Sequence, residues 1–166
     1  DCPEAMAVQQ DIIRRDAVIR VHPYASITKG EKGEELVPME ALCRSAVAFS
    51  DDGRGIQNAG IMLEAMERAS ALGKIIAAHC EDNSLIKNGC INQGEYSRIH
   101  GLPGIPAKSE WGPIERDIKL CRRTGAAYHI CHVSKKESLE AVRRAKEEGL
   151  DVTCESAPHY IAFCDG

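Results

Sequence analysis

Apolar residues in this chain gather in short runs, each ending abruptly in polar residues. The runs at 17–22, 46–50, 74–79, 126–132 and 151–155 are rich in small or β-branched side chains and read as buried strands. Helical spacing of apolar positions fills the intervals at 3–15, 38–44, 58–72, 113–123 and 136–148. Gly73, Gly125 and Gly149 each stand between a helical and a strand pattern, where a left-handed C-terminal residue belongs. Pro3 and Pro113 fit the first turns of their helices. Ser134 fits a cap for the helix that contains Glu137.

Strand–helix–strand alternation predicts parallel strands joined by right-handed crossovers. Two architectures satisfy it: a five-stranded doubly wound domain, or five of the eight units of a (β/α)8 barrel. Pattern alone leaves both open. In either, chemistry belongs at the carboxyl ends of the strands, and there the polar residues cluster. One gap between strands is wider than the others. It spans residues 81–110 and contains His100-Gly-Leu-Pro-Gly-Ile-Pro106, so it reads as a long irregular insertion of functional type.

Composition narrows the classes. The 166 residues are 43% hydrophobic and 28% charged, which predicts one soluble globular domain. A net charge of −4 without a basic block excludes the electrostatic footprint of a nucleic-acid binder. No apolar stretch approaches the roughly 18 residues that span a bilayer, and no leader pattern opens the sequence. The eight cysteines fall at 2, 43, 80, 90, 121, 131, 154 and 164 without a Cys-x-x-Cys pair. Several sit inside apolar patterns, so they read as reduced, mostly buried thiols of a cytoplasmic protein.

Three strand ends carry a donor set suited to a metal. Asp51-Asp-Gly53 follows the second strand, His79-Cys-Glu-Asp82 the third and His132-Val-Ser134 the fourth. Neutral imidazole and carboxylate together suit a borderline divalent ion. Residues three apart on a strand point to opposite faces, so His129 and His132 cannot share the rim, and His132 is the better candidate. Cys80 and Cys131 should point away from the site. Glu81 and Asp82 read as solvated loop charges, and His22, before a proline, as structural. The Gly-Leu-Pro-Gly stretch lacks the features of a phosphate loop.

Longer strings are more specific. Phe49-Ser-Asp-Asp-Gly53, Ala78-His-Cys-Glu-Asp82, His100-Gly-Leu-Pro-Gly-Ile-Pro106, Arg116-Asp-Ile118, Tyr128-His-Ile-Cys-His-Val-Ser134 and Val152-Thr-Cys-Glu-Ser-Ala-Pro-His159 closely resemble the bacterial class I dihydroorotases of the amidohydrolase superfamily. The resemblance runs in register from Asp1 to Gly166. It implies that residues 1–166 form a single incomplete catalytic domain, a partial (β/α)8 TIM barrel comprising about strands 3–7. It also implies zinc-dependent, reversible hydrolysis of dihydroorotate to N-carbamoyl-L-aspartate in pyrimidine biosynthesis, at a site holding two zinc ions. Asp52 matches the family's bridging carboxylate, His79 the fifth-strand ligand and His132 the sixth-strand ligand.

Hydantoinases and allantoinases generally place a carboxylated lysine where this chain has Asp52. That argues against another cyclic amidohydrolase. The family's first-strand His-x-His and its eighth-strand aspartate, the general acid/base, have no match here. They are expected in flanking sequence, and the segment alone is expected to be inactive. No catalytic or substrate-binding residue is assigned within it. Pro158-His-Tyr160 stands where relatives often read Pro-His-His, and His159 is given no ligand role. A non-catalytic assembly module is the remaining alternative. A homodimer and association with aspartate transcarbamoylase are the partner arrangements that the resemblance suggests.

Overall fold

The computed structural model describes residues 1–163. After α1 (Pro3–Asp16) and a 3-10 turn at Lys29–Glu31, the chain forms α2 (Met39–Leu42), β1 (Ala48–Phe49), α3 (Ala59–Ala71) and β2 (Ile75–Ala78). Then come α4 (Asn83–Ile86), β3 (Ile91–Asn92), α5 (Glu95–Ile99) and β4 (Gly104–Ile105). The chain continues through α6 (Lys108–Thr124), β5 (Ala127–Ile130), α7 (Lys136–Glu147), β6 (Val152–Cys154) and α8 (Pro158–Ala162).

Four strands pair in parallel in the order β1-β2-β5-β6. Ala25 extends this sheet by a single parallel bridge to Phe49. A doubly wound sheet reverses its strand order at a switch point. Here the order follows the chain without reversal, as successive units of a (β/α)8 barrel do. The fold is therefore α/β, an arc of that barrel.

The three long crossover helices meet the sheet through one repeated template. Buried positions are Met62, Ala65, Met66 and Ala69 on α3, and Ser138, Ala141, Val142 and Ala145 on α7. On α6 the set includes Ile114, Asp117, Ile118 and Cys121. Each series runs i, i+3, i+4, i+7, which presents one stripe to the sheet. The strands contribute Ile76, Ala78, Tyr128, Ile130 and Val152 to the same core. Their opposite face is more open, with Ile75, His129 and Thr153 on it.

Most predicted elements are present, with four differences. The strand expected at 17–22 is irregular, and Val18 is 97% exposed. An apolar run becomes a strand only with a ladder partner, and pairing begins later, where Ala25 N–H donates to Ala48 O and Ser50 N–H to Ala25 O. Second, α6 starts at Lys108, so Pro113 lies inside the helix and not in its first turn. Third, residues 81–110 are organised, carrying α4, α5 and a small parallel sheet of β3 and β4. Fourth, Ser134 caps nothing, and Lys135 is the N-cap residue of α7. Gly73, Gly125 and Gly149 do take positive φ at their helix ends.

Behind the sheet lies a buried polar chain. Tyr128 Oη donates to Asp117 Oδ2 at 3.0 Å and lies 3.2 Å from Cys80 Sγ, while Arg116 pairs with both oxygens of Asp117. Burial pushes the Asp117 carboxyl above its ordinary value despite the guanidinium, and likewise raises Tyr128 and Cys80. Tyr128→Phe removes the one phenolic link between Asp117 and Cys80. It should lower stability by about 1–3 kcal/mol, measured by urea unfolding.

Candidate metal centre

His79 follows β2 immediately, on the side of the strand shared by Ile75 and Ala77. His132 lies two residues beyond β5. Between them the ladder continues, with Cys131 N–H donating to Ala78 O at 3.1 Å. His132 itself has φ 42, a left-handed conformation that is strained in a residue with a side chain. That turn brings its Nε2 to 3.0 Å from His79 Nδ1, with the ring centroids 4.8 Å apart.

The neighbouring aspartates divide their work. Asp51 is buried and accepts from Ile27 N–H at 2.7 Å, Thr28 N–H at 3.0 Å and the Thr28 hydroxyl. Asp52 is 75% exposed at its side chain and presents Oδ1 at 3.7 Å from His79 Nδ1 and 3.8 Å from His132 Nε2. The three predicted metal residues therefore meet, although they come from three separate loops.

The donor set fits a divalent ion. Two ring nitrogens at 3.0 Å need a proton or a cation between them. Tetrahedral zinc bonds of about 2.0–2.1 Å place donor atoms about 3.3 Å apart, and the three separations straddle that value. His79 Nε2 lies 3.5 Å from Glu81 Oε2. A proton held on that side leaves the Nδ1 lone pair for a metal, a frequent support for ligating histidines. Glu81 is thus more than a solvated loop charge. Asp82 is too, because its carboxylate accepts from Ser84 N–H and caps α4.

His129 shares its sheet face with His79, so alternation does not separate it from the site as expected; the turn at His132 brings that ring over to the same face, and the partners of His129 lie toward β6. Its Nδ1 is 2.8 Å from Thr153 Oγ1 and its Nε2 is 3.7 Å from Glu155, with Cys131 in the same group. Burial, with Glu155 adding, raises the Cys131 thiol to about 11. Cys80 packs away from the histidines against Tyr128. His22 is exposed, and the His159 ring contacts Tyr160 on α8, 4.2 Å between centroids.

Residues that periodicity did not single out hold the three loops together. Gln57, five residues after Asp52, donates through Nε2 to Glu81 O at 2.8 Å and accepts from Asn83 N–H. Arg116 reaches from α6 to Ile56 O and Gln57 O. Pro113 lacks the N–H that would bond Ser109 O within the helix. That carbonyl accepts instead from Asp82 N–H at 2.7 Å, tying the His79 loop to α6. Glu110 of α6 binds the loop after His132. The quoted Arg116-Asp-Ile118 string was the one sequence signal for the part that Arg116 of this helix plays. A cleft of about 370 Å3 opens beside the histidines, lined by Glu81, Asn92, Glu110 and Lys135 among others.

Comparison with known proteins identifies the family. The family described as dihydro-orotase-like matches residues 1–138. The chain is 48% identical over 165 residues to a dihydroorotase of Fusobacterium nucleatum, covering 99% of this chain and 39% of that protein. Identity is 49% to the dihydroorotase of Shouchella clausii and 48% to that of Bacillus subtilis, with the same coverage. This chain thus spans 39% of the length of these curated relatives. Among solved structures, an L-hydantoinase from Arthrobacter aurescens superposes with a TM-score of 0.75 at 20% identity, covering 96% of this chain and 37% of that one. A D-hydantoinase from Bacillus sp. AR9 gives 0.73 at 17% identity, covering 98% and 38%. At these identities the hydantoinases share the fold alone.

Gly55 supplies a direct test of the loop contact. It has φ 54, and a Cβ there would lie 2.6 Å from His79 O. Gly55→Ala must push the Asp52 loop off the His79 loop. Zinc affinity, followed by isothermal titration calorimetry, should fall about tenfold or more.

Proposed function

This chain belongs to the dihydro-orotase-like family, and on that footing we propose that it forms the metal-binding middle of a cytoplasmic dihydroorotase. The activity is the reversible opening of the cyclic amide of dihydroorotate to N-carbamoyl-L-aspartate. The single observation that carries this reading is the convergence of Asp52 Oδ1, His79 Nδ1 and His132 Nε2 at the carboxyl ends of adjacent parallel strands. We assign these three residues as zinc ligands. Glu81 holds the His79 proton on Nε2, so that Nδ1 faces the site. Asp51 keeps its own carboxylate out of the site and anchors the turn that presents Asp52.

The chemistry that bound zinc supplies is Lewis acidity, which polarises an amide carbonyl and lowers the pKa of a water. The chain's own contribution is to bring three donors from three loops to one point and to leave a cleft beside them. A volume of about 370 Å3 suits a small cyclic substrate. The general acid/base and the remaining ligands belong to parts of the barrel outside these 166 residues. A hydantoinase reading has less support: relatives named dihydroorotase share 48–49% of positions, against 17–20% for the hydantoinases.

The test is to express the protein encoded by the complete reading frame and assay dihydroorotate and hydantoin side by side, with and without a chelator. Chelator-sensitive turnover of dihydroorotate is expected, and His132→Ala should lower it by at least about 100-fold. Preference for hydantoin, or full activity and zinc content in His132→Ala, would remove the assignment.

A further inference from the structure

We propose that Glu110 is a positioning residue of the metal centre, holding His132 in the strained conformation that aims its Nε2 at His79. The proposal rests on the reading of Asp52, His79 and His132 as ligands. Glu110 belongs to α6, yet its carboxylate is spent on the segment after His132. It accepts from Ser134 N–H at 3.1 Å, Ser134 Oγ at 2.6 Å, Lys135 N–H at 3.0 Å and Ser138 Oγ at 2.6 Å.

These four donors saturate the group. A carboxylate so engaged is a poor proton shuttle, although it borders the cleft with both histidines. Its position suits a fixed negative charge, because it sits in the first turn of α6 and faces the first turn of α7. Both helix N-termini favour an anion. Glu110 thereby does for α7 what the Lys135 N-cap side chain does not.

The mechanical consequence falls on His132. A left-handed conformation in a non-glycine residue persists only where its surroundings over-determine it. On one side, Cys131 N–H is held by Ala78 O. On the other, Val133 N–H is held by Glu155 O at 2.7 Å, and Ser156 Oγ donates to Val133 O. Glu110 then fixes the next two amides. Without it, the chain beyond Val133 is released, and His132 can relax toward ordinary strand geometry. Relaxation would turn the imidazole toward the face that Ile130 shares with the helices.

A simple capping role would lower stability without touching the histidines, so the test must separate the two. Glu110→Ala, Glu110→Gln and Ala145→Gly are compared with wild type. Ala145→Gly weakens α7 at a buried position remote from the loop. Two measurements are made well below Tm: the His79–His132 imidazole hydrogen bond by long-range 1H–15N spectroscopy of the metal-free protein, and zinc affinity by chelator competition. Glu110→Ala should abolish the hydrogen-bond signature and weaken zinc about tenfold. Glu110→Gln keeps one carbonyl acceptor and should recover part of both, while Ala145→Gly should change only Tm.

An intact imidazole pair and wild-type zinc affinity in Glu110→Ala, with only Tm reduced, would overturn the proposal. Loss of the imidazole pair to the same extent in Ala145→Gly would also overturn it. Failure of the wild-type protein to bind zinc would instead count against the ligand assignment, and the metal-free spectra would still judge Glu110.

Discussion

The parallel ladder between β2 and β5 is the constraint on which the site depends. Four consecutive pairs, from Ile75↔Ala127 to Ala78↔Ile130, lock two strands at the roughly 4.8 Å spacing of a sheet. The ladder carries His79 and His132 to the same end of the sheet. It also creates a problem of parity. His79 is one residue past its last paired position and His132 is two past its own. Side chains alternate, so regular strands would send the two rings to opposite faces. The positive φ of His132 resolves this by turning the chain once, at the residue that must face the rim. The strain is local, and hydrogen bonds to β2, to the residues just after β6 and to α6 hold it.

Much of this was legible in the sequence, for physical reasons. Strand ends are readable because a buried parallel strand is uniformly apolar and the rim is not. Hence His79, His132 and the Asp-Asp-Gly turn stood out. Which aspartate faces the histidines was not readable from periodicity, since the division depends on Ile27, Thr28 and their amides some twenty residues earlier. It came from the family resemblance; in the structure Asp52 is the one whose carboxylate lies near both ring nitrogens.

The misplaced first strand has the same origin. Residues 17–22 have the right composition, but a strand is defined by its partner, and the partner found by the chain is Ala25. Pro113 misled in another way. Its neighbours continue a helix whose first turn lies further back, and the missing N–H is absorbed because Ser109 O finds a donor outside the helix. Glu110 and Arg116 were invisible to any local rule. They are ordinary surface-type residues on a helix, and only the fold shows that they reach two different loops.

Strand order that follows chain order has a consequence for how the site comes into being. Every ladder of the main sheet joins a strand to the preceding strand of that same sheet, with β3 and β4 set aside in their own, so a chain leaving the ribosome can extend one growing edge without rearrangement. Asp52 is delivered first, His79 second and His132 third. The three side chains meet only when β5 docks, and α6, synthesised just ahead of β5, already carries the Glu110 that receives the next turn. Assembly of the sheet and convergence of Asp52, His79 and His132 are the same vectorial event.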